Sequence, residues 1–154
     1  MIDTSYPVEK LNMTNKNTLS ESLGIEYIEV TPLYLKARMP VDSRTVQPLR
    51  LMHGGASAAL AEMTGSMAAY LSIDRENYYC VGLEMKINHI KAVRSGYVFA
   101  TATPLHQGFT TQVWQIDTRD ENDERVAFSV LTMAIVPLDK ISRSIIRDIF
   151  KQLD

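Results

Sequence analysis

The sequence has 154 residues, of which 45% are hydrophobic and 22% are charged, and its formal net charge at pH 7 is -2. This length and composition suit one compact domain over residues 1–154 with a substantial core. A chain without a surplus of Lys and Arg is not typical of a general nucleic-acid binder, so we expect no nucleic-acid partner. The lone Cys80 excludes an internal disulfide, and the first ten residues lack a secretory pattern, so we expect a cytoplasmic protein.

In chain order, the sequence predicts one series of helices and strands without repeats or long linkers. Residues 17–24, NTLSESLG, predict a short helix that ends at Gly24. Two β-branched and aromatic runs follow and predict a hairpin around Pro32. A loop leads to a long helix from near Gly54 to about Ser72. Four further strands are predicted in the runs YYCVGLEMKINHIKAV, GYVFATATPLHQ, TTQVWQIDT and RVAFSVLTMAIVP.

The breaks between these last strands are short, which favours antiparallel neighbours. The pattern therefore predicts an α+β fold in which one long helix lies against an antiparallel sheet of about five or six strands. The acidic break RDENDE is interpreted as a hairpin loop. After Pro137, Ile141, Ile145 and Ile149 recur at helical spacing, which predicts a C-terminal amphipathic helix over residues 139–153.

The long helix carries one charged side chain in an otherwise small and apolar segment. Gly55, Ala58, Ala59, Glu62 and Ser66 share one helical face. A membrane span is disfavoured, because the segment is only weakly hydrophobic and Glu62 near its centre would be costly in lipid.

The glycines at the helix start suggest how Glu62 could act. The first turn presents unpaired backbone N–H groups and the positive end of the helix dipole, which suits an anion or oxyanion. Gly55 and Glu62 are seven residues apart, roughly 10 Å along the axis. One helix cannot bring both to one carbonyl, whereas two antiparallel helices crossing near Ala58 and Ala59 can. The spacing predicts a composite site at a homodimer interface.

Other interpretations of these residues remain open. Glu62 could be neutralised by a structural Arg, which on residue type alone is about as plausible as catalysis. His53 by itself is more often a packed residue than a base. His53, His89 and His106 have no metal-ligand spacing, so we expect no metal.

At the segment MPVDSRTVQPLRLMHGGASAALAEMTGSMAAYL, the sequence resembles the hotdog-fold acyl-CoA thioesterases of the phenylacetate-degradation type. This group includes the 4-hydroxybenzoyl-CoA, 1,4-dihydroxy-2-naphthoyl-CoA and enterobactin-proofreading thioesterases. The resemblance extends through LNMTNKNTLSESLGI, GLEMKINHIKAV and PLHQG. A glutamine shortly before HGG, then LAE and then GS is a specific combination.

The resemblance implies a central helix wrapped by a sheet, paired protomers, common tetramers and hydrolysis of an acyl-CoA, with an aromatic acyl group suggested by the members named. It implies no cofactor, since CoA is part of the substrate. Glu62 would be the nucleophile or general base, positioned with help from Ser66, while the Gly55 N–H polarises the carbonyl. Gln47 would assist at the thioester, and His53 would support the turn or contact the substrate. His89 would lie near the pantetheine arm.

The groups that bind the two ends of the substrate are less well defined. Candidates for the CoA phosphates are Arg50, Lys86, Lys91 and Arg94, although each could be an ordinary solvated charge. Candidates for the acyl pocket are Leu51, Met52, Met63, Met67 and Tyr70, which are equally ordinary core residues at helical spacing.

Two other functions fit a hotdog fold, because a fold does not fix its chemistry. The first is an acyl-thioester dehydratase or hydratase, but such enzymes typically carry a His in an H-F-P-like setting, from which MHGGAS departs. The second is a non-catalytic acyl-CoA-binding module. The combination of Gln47, Gly55 and Glu62 argues against it.

Overall fold

The computed structural model describes residues 1–139. The predicted helix over 139–153 therefore lies, apart from its first residue, outside the described residues. The helices are α1 (Val8–Met13), α2 (Leu19–Leu23) and α3 (Gly54–Tyr70), and the strands are β1 (Glu26–Val30), β2 (Leu35–Pro40), β3 (Tyr78–His89), β4 (Tyr97–Gln107), β5 (Thr111–Asp120) and β6 (Arg125–Pro137).

The N-terminal helices are short, and α2 has a side-chain cap at its start. Thr18 accepts a hydrogen bond from the Ser20 N–H at the start of α2, and Gly24 ends that helix in the left-handed conformation at φ 70°. The predicted stop at Gly24 is confirmed, because glycine adopts this conformation without steric cost. Helix α1 was not predicted. Its Asn12 side chain bonds the N–H and the carbonyl of Tyr27 and so ties α1 to β1.

The six strands form one antiparallel sheet in the order β1-β2-β4-β5-β6-β3. The predicted hairpin of β1 and β2 is confirmed. The prediction that β3 and β4 are neighbours is wrong. Strand β3 pairs with β6 instead and forms the edge of the sheet opposite β1. Residues 90–96 cross over instead: Lys91 N–H donates to Val126, and the Gly96 carbonyl accepts from Val41. The length of a break between two strands does not reveal whether the chain forms a hairpin there or crosses to another part of the sheet.

Helix α3 lies across the sheet and contacts β2 to β6. Its buried face includes Leu60 and Ala61, which join Trp114 and Leu131 in the core. At Gly65 the helix approaches the sheet closely, because a Cβ there would lie 2.7 Å from Leu131 Cδ2. The opposite face is partly open within the described chain, where Gly55 and Glu62 are exposed and Ala58, Ala59 and Ser66 are half-buried. No helix among residues 1–139 is long and apolar enough to cross a membrane.

Candidate functional site

The start of α3 is built by a tight loop and a histidine cap. The His53 N–H donates to the Thr45 carbonyl at 2.8 Å, which anchors the turn. The His53 Nδ1 then accepts the Gly55 N–H at 2.8 Å. This side-chain acceptor satisfies one of the N–H groups that every helix start leaves unpaired. The Gly55 N–H is therefore occupied in this structure, and it must leave or share that bond before it can polarise a carbonyl.

Gln47 lies in the loop that leads to the helix. Its side-chain oxygen accepts the Leu49 N–H at 2.6 Å, and its backbone pairs with Leu51 and Arg50. Arg50 closes the loop at φ 61°, an uncommon conformation for a residue with a Cβ. No residue in the range 1–139 accepts a hydrogen bond from the Gln47 side-chain NH₂. That donor is available to a ligand.

Glu62 is exposed on the partly open face of α3. One carboxylate oxygen, Oε1, lies 3.1 Å from where a Cβ on Gly82 of β3 would stand. Glycine at this strand position leaves room for the carboxylate against the sheet. Within residues 1–139 no Lys or Arg pairs with Glu62, so the described chain does not supply the structural Arg of the alternative interpretation.

Ser66 lies one turn after Glu62 and is half-buried. Its hydroxyl is 3.8 Å from the Met133 sulfur, a weak acceptor. The Cys80 thiol lies 3.9 Å from the Ser66 carbonyl. Ser66 therefore faces the space between α3 and β3, on the same side as Glu62.

A pocket of about 270 Å³ occupies that space. It is lined by Tyr27, Met63, Ser66, Met67, Tyr70, Tyr79, Cys80, Gly82 and Met133. Three of the proposed acyl-pocket residues, Met63, Met67 and Tyr70, belong to this lining, whereas Leu51 and Met52 do not. Sequence reasoning missed Tyr27, Tyr79, Cys80 and Met133 because they come from β1, β3 and β6, which are distant in the sequence, and β1 lies at the opposite edge of the sheet from β3. The isolated Gly82 in a strand pattern was the available signal of close approach.

The lining carries no charge at neutral pH. Burial raises the pKa of Tyr70 to about 12 and that of the Cys80 thiol to about 11, and it also raises the pKa of Tyr27. Each of these groups therefore stays in its protonated, uncharged form at neutral pH. The pocket suits an uncharged group beside an exposed carboxylate.

The remaining predicted residues are divided between the helix start and the surface. His89 ends β3 against the start of α3, where its Nε2 lies 3.0 Å from the position of a Cβ on Gly54. Arg94 is exposed and follows Val93, whose carbonyl accepts the Met52 N–H. Lys91 is not available as a free cation, because its ammonium pairs with Asp120 at 2.6 Å and with Glu124. This pairing follows from the crossover, which places Lys91 beside the acidic hairpin loop.

Among residues 1–139, no three His, Cys, Asp or Glu side chains are grouped closely enough to hold a metal ion. The described chain thus carries a carboxylate beside a neutral pocket, and backbone and amide donors near the start of α3. A carboxylate can attack an activated carbonyl or deprotonate water, and N–H donors can stabilise the developing oxyanion. These are the groups that acyl hydrolysis requires.

Comparison with known proteins identifies the family. Residues 50–127 match the thioesterase superfamily, and the chain belongs to that family. It is 47% identical over 129 residues to the proofreading thioesterase EntH of Cronobacter turicensis, a match that covers 84% of this chain and 93% of that one.

Two solved structures agree with this assignment. A mutant thioesterase from Pseudomonas aeruginosa is 46% identical, with a TM-score of 0.87 over 89% of this chain and 99% of its own. A thioesterase from Haemophilus influenzae is 40% identical, with a TM-score of 0.87 over 90% and 97% of the two chains. The protein is a thioester hydrolase with a hotdog fold, as the sequence resemblance implied.

Proposed function

We propose that the protein hydrolyses acyl-CoA thioesters, R-CO-S-CoA plus water giving R-COOH plus CoA, with Glu62 as the nucleophile or general base. The observation that carries the proposal is the position of Glu62. Its carboxylate is exposed, has no ion-pair partner within residues 1–139, and stands at Gly82, which also lines the neutral pocket. An acyl group in that pocket would present its carbonyl to the carboxylate.

Both routes from this arrangement give the same products. Glu62 can attack the carbonyl and expel the thiolate, leaving an anhydride that water hydrolyses, or it can take a proton from the attacking water. A thiolate leaves readily, so a strong general acid is not required. The Gln47 NH₂ is placed on the loop before the helix and is the further donor that we assign to the thioester. Ser66 positions the carboxylate or the water.

We further propose that two protomers share each site, so that Glu62 acts opposite the partner's Gly55. The partly open face of α3 and the adjoining edge strand β3 support this pairing. Val81 and Leu83 on β3 are 41% and 61% exposed in the single chain. A long edge strand that exposes such apolar side chains is a surface that proteins normally cover. Pairing of such dimers into a tetramer completes the proposed assembly.

The cations near the helix start support CoA as the thiol portion. Arg50 and Arg94 flank the contact between Met52 and Val93, and neither has an ion-pair partner among residues 1–139. His89, packed against Gly54, lies beside the same helix start and is assigned to the pantetheine arm. The three tyrosine rings in the pocket lining support aromatic acyl groups among the substrates. The proposal involves no metal or redox cofactor and places the enzyme in the cytoplasm.

The test is a panel of aromatic and aliphatic acyl-CoAs, with thiol release followed by a thiol-trapping dye. Glu62→Gln keeps the shape of the side chain and removes its charge, and it should lower kcat at least about 10²-fold. Glu9→Gln, an exposed glutamate on α1, is the matched control and should retain full activity. Near-normal turnover by Glu62→Gln would contradict the proposed role of Glu62. The absence of thiol release from every acyl-CoA tested would contradict the proposed substrate class.

A further inference from the structure

The contacts of β3 show how the pocket beside Glu62 extends along α3. Gly82 lies against Glu62, and Cys80 lies against Ser66 one turn further along α3. Strand β3 therefore runs antiparallel to the helix, with Tyr79 towards its C-terminal end. The pocket extends along α3 from Met63 to Tyr70, which is seven residues or about 10 Å. Tyr70 stands at the end farthest from the carboxylate.

The Tyr70 ring contacts the guanidinium of an arginine, Arg75. The Arg75 guanidinium carbon is 5.9 Å from the centroid of the Tyr70 ring and 4.8 Å from that of Tyr6. The same guanidinium donates a hydrogen bond to the Asp3 carboxylate. Arg75 is thus placed between two rings and one carboxylate, an arrangement that fixes its orientation. A fixed cation beside Tyr70 restricts the movement of that ring.

The N-terminal segment, residues 2–6, completes this support. Ile2 is buried, and its N–H donates to the Pro32 carbonyl at 3.1 Å. The Asp3 N–H donates to the carbonyl of Leu71, the residue that caps α3, at 2.8 Å. Asp3 also accepts hydrogen bonds from the N–H and the hydroxyl of Ser5. These bonds fix Asp3 at the end of α3, and Asp3 in turn fixes Arg75.

Resting on the proposed function, we infer that Tyr70 closes the far end of the acyl pocket and limits the enzyme to uncharged acyl groups of about 10 Å. Arg75 is a positioning residue that holds Tyr70 in place. An extended chain advances about 1.2 Å per bond, so the limit corresponds to roughly eight carbons. The exclusion of charge follows because no cation lines the pocket and Arg75, beside Tyr70, is already paired with Asp3.

The experiment measures kcat/KM for straight-chain acyl-CoAs from four to fourteen carbons. The wild-type value should fall at least about tenfold between eight and twelve carbons, because the end of a longer chain would overlap the Tyr70 ring. An ω-carboxylated acyl-CoA of eight carbons should be at least about tenfold poorer than its uncharged counterpart. Tyr70→Ala should shift the fall to longer chains, and Tyr70→Phe should leave it in place.

The readout is the ratio of kcat/KM for twelve carbons to that for eight. A loss of folded enzyme lowers both values equally and cancels in the ratio, so a purely structural effect does not change it. Arg75→Ala should raise the ratio in the same direction as Tyr70→Ala, and Arg75→Lys should restore part of the wild-type limit. Tyr34→Ala, outside the pocket, is the matched control. Tyr70→Leu serves as the second shortened variant if Tyr70→Ala does not fold.

The outcomes separate this inference from the proposed function. If the wild type hydrolyses short acyl-CoAs but Tyr70→Ala and Tyr70→Leu leave the ratio unchanged, the closed end is wrong while the thioesterase proposal stands. Equal wild-type rates for eight and fourteen carbons would also overturn the inference. If no acyl-CoA releases thiol, the proposed function is wrong, and the inference that rests on it is wrong as well.

Discussion

At the scale of single residues, the site depends on which groups are paired and which are left available. His53 accepts the Gly55 N–H, and Lys91 is held by Asp120 and Glu124. Glu62 has neither kind of partner within residues 1–139. Sequence reasoning could place Glu62 and Gly55 on one helical face, because the helical period is local. It could not foresee the pairing of Lys91, which depends on a crossover between distant strands.

Cys80 provides a chemical probe of the pocket at this scale. Burial raises the pKa of its thiol to about 11, so the native protein holds less thiolate at a given pH than an exposed thiol would. The rate of alkylation by iodoacetamide should therefore rise about tenfold per pH unit up to about pH 11. Because the sequence has one cysteine, intact-mass spectrometry reports Cys80 alone.

The control for this prediction is the same protein unfolded in urea. Its alkylation rate should level off near the ordinary thiol pKa of about 8.5. A native profile that levels off at the same pH as the unfolded one would show that the thiol is not desolvated, and the description of Cys80 as a buried, uncharged part of the pocket lining would be wrong.

At the scale of elements, the sequence predicted most helices and strands but not how all of them are arranged. The stop at Gly24, the hairpin of β1 and β2, and the long helix α3 follow from capping, strand propensity and hydrophobic pattern. The pairing of β3 with β6 could not be predicted from these local signals, because strand pairing is decided by packing over the whole chain. The pocket shows the same division, because its residues on α3 were predicted as candidates and none of those on β1, β3 and β6 was.

Gly65 tests the packing of α3 against the sheet. Alanine normally stabilises a helix by up to about 1 kcal/mol relative to glycine. Here the added Cβ would lie 2.7 Å from Leu131 Cδ2, and Leu131 is only 1% exposed, so it has little room to move. Gly65→Ala should therefore lower the free energy of unfolding by about 1–3 kcal/mol, measured by urea denaturation.

A double-mutant cycle with Leu131→Val supplies the control for Gly65→Ala. If the clash is the cause, the two substitutions should couple, and the double variant should lose less stability than the sum of the single variants. An increase in stability on Gly65→Ala would mean that the helix does not approach the sheet as closely as described.

At the scale of the whole molecule, one chain leaves part of the face that carries the proposed site exposed. The sheet ends at β3, a strand of twelve residues whose outer edge has no partner within residues 1–139. The face of α3 that carries Gly55 and Glu62 adjoins this edge. Since these two residues are separated by about 10 Å along one helix, a second protomer is needed to complete a site that uses both. The proposed dimer follows from this separation.

The most direct test of the shared site is complementation between two inactive variants. Glu62→Ala removes the carboxylate, and Gly55→Pro removes the N–H in the first turn of α3. If each site uses Glu62 of one protomer and Gly55 of the other, mixed dimers contain one intact site. Random pairing of co-expressed variants should then restore about a quarter of the wild-type activity, measured as thiol release per protomer. Activity no higher than the mean of the two variants alone would contradict a site shared between protomers.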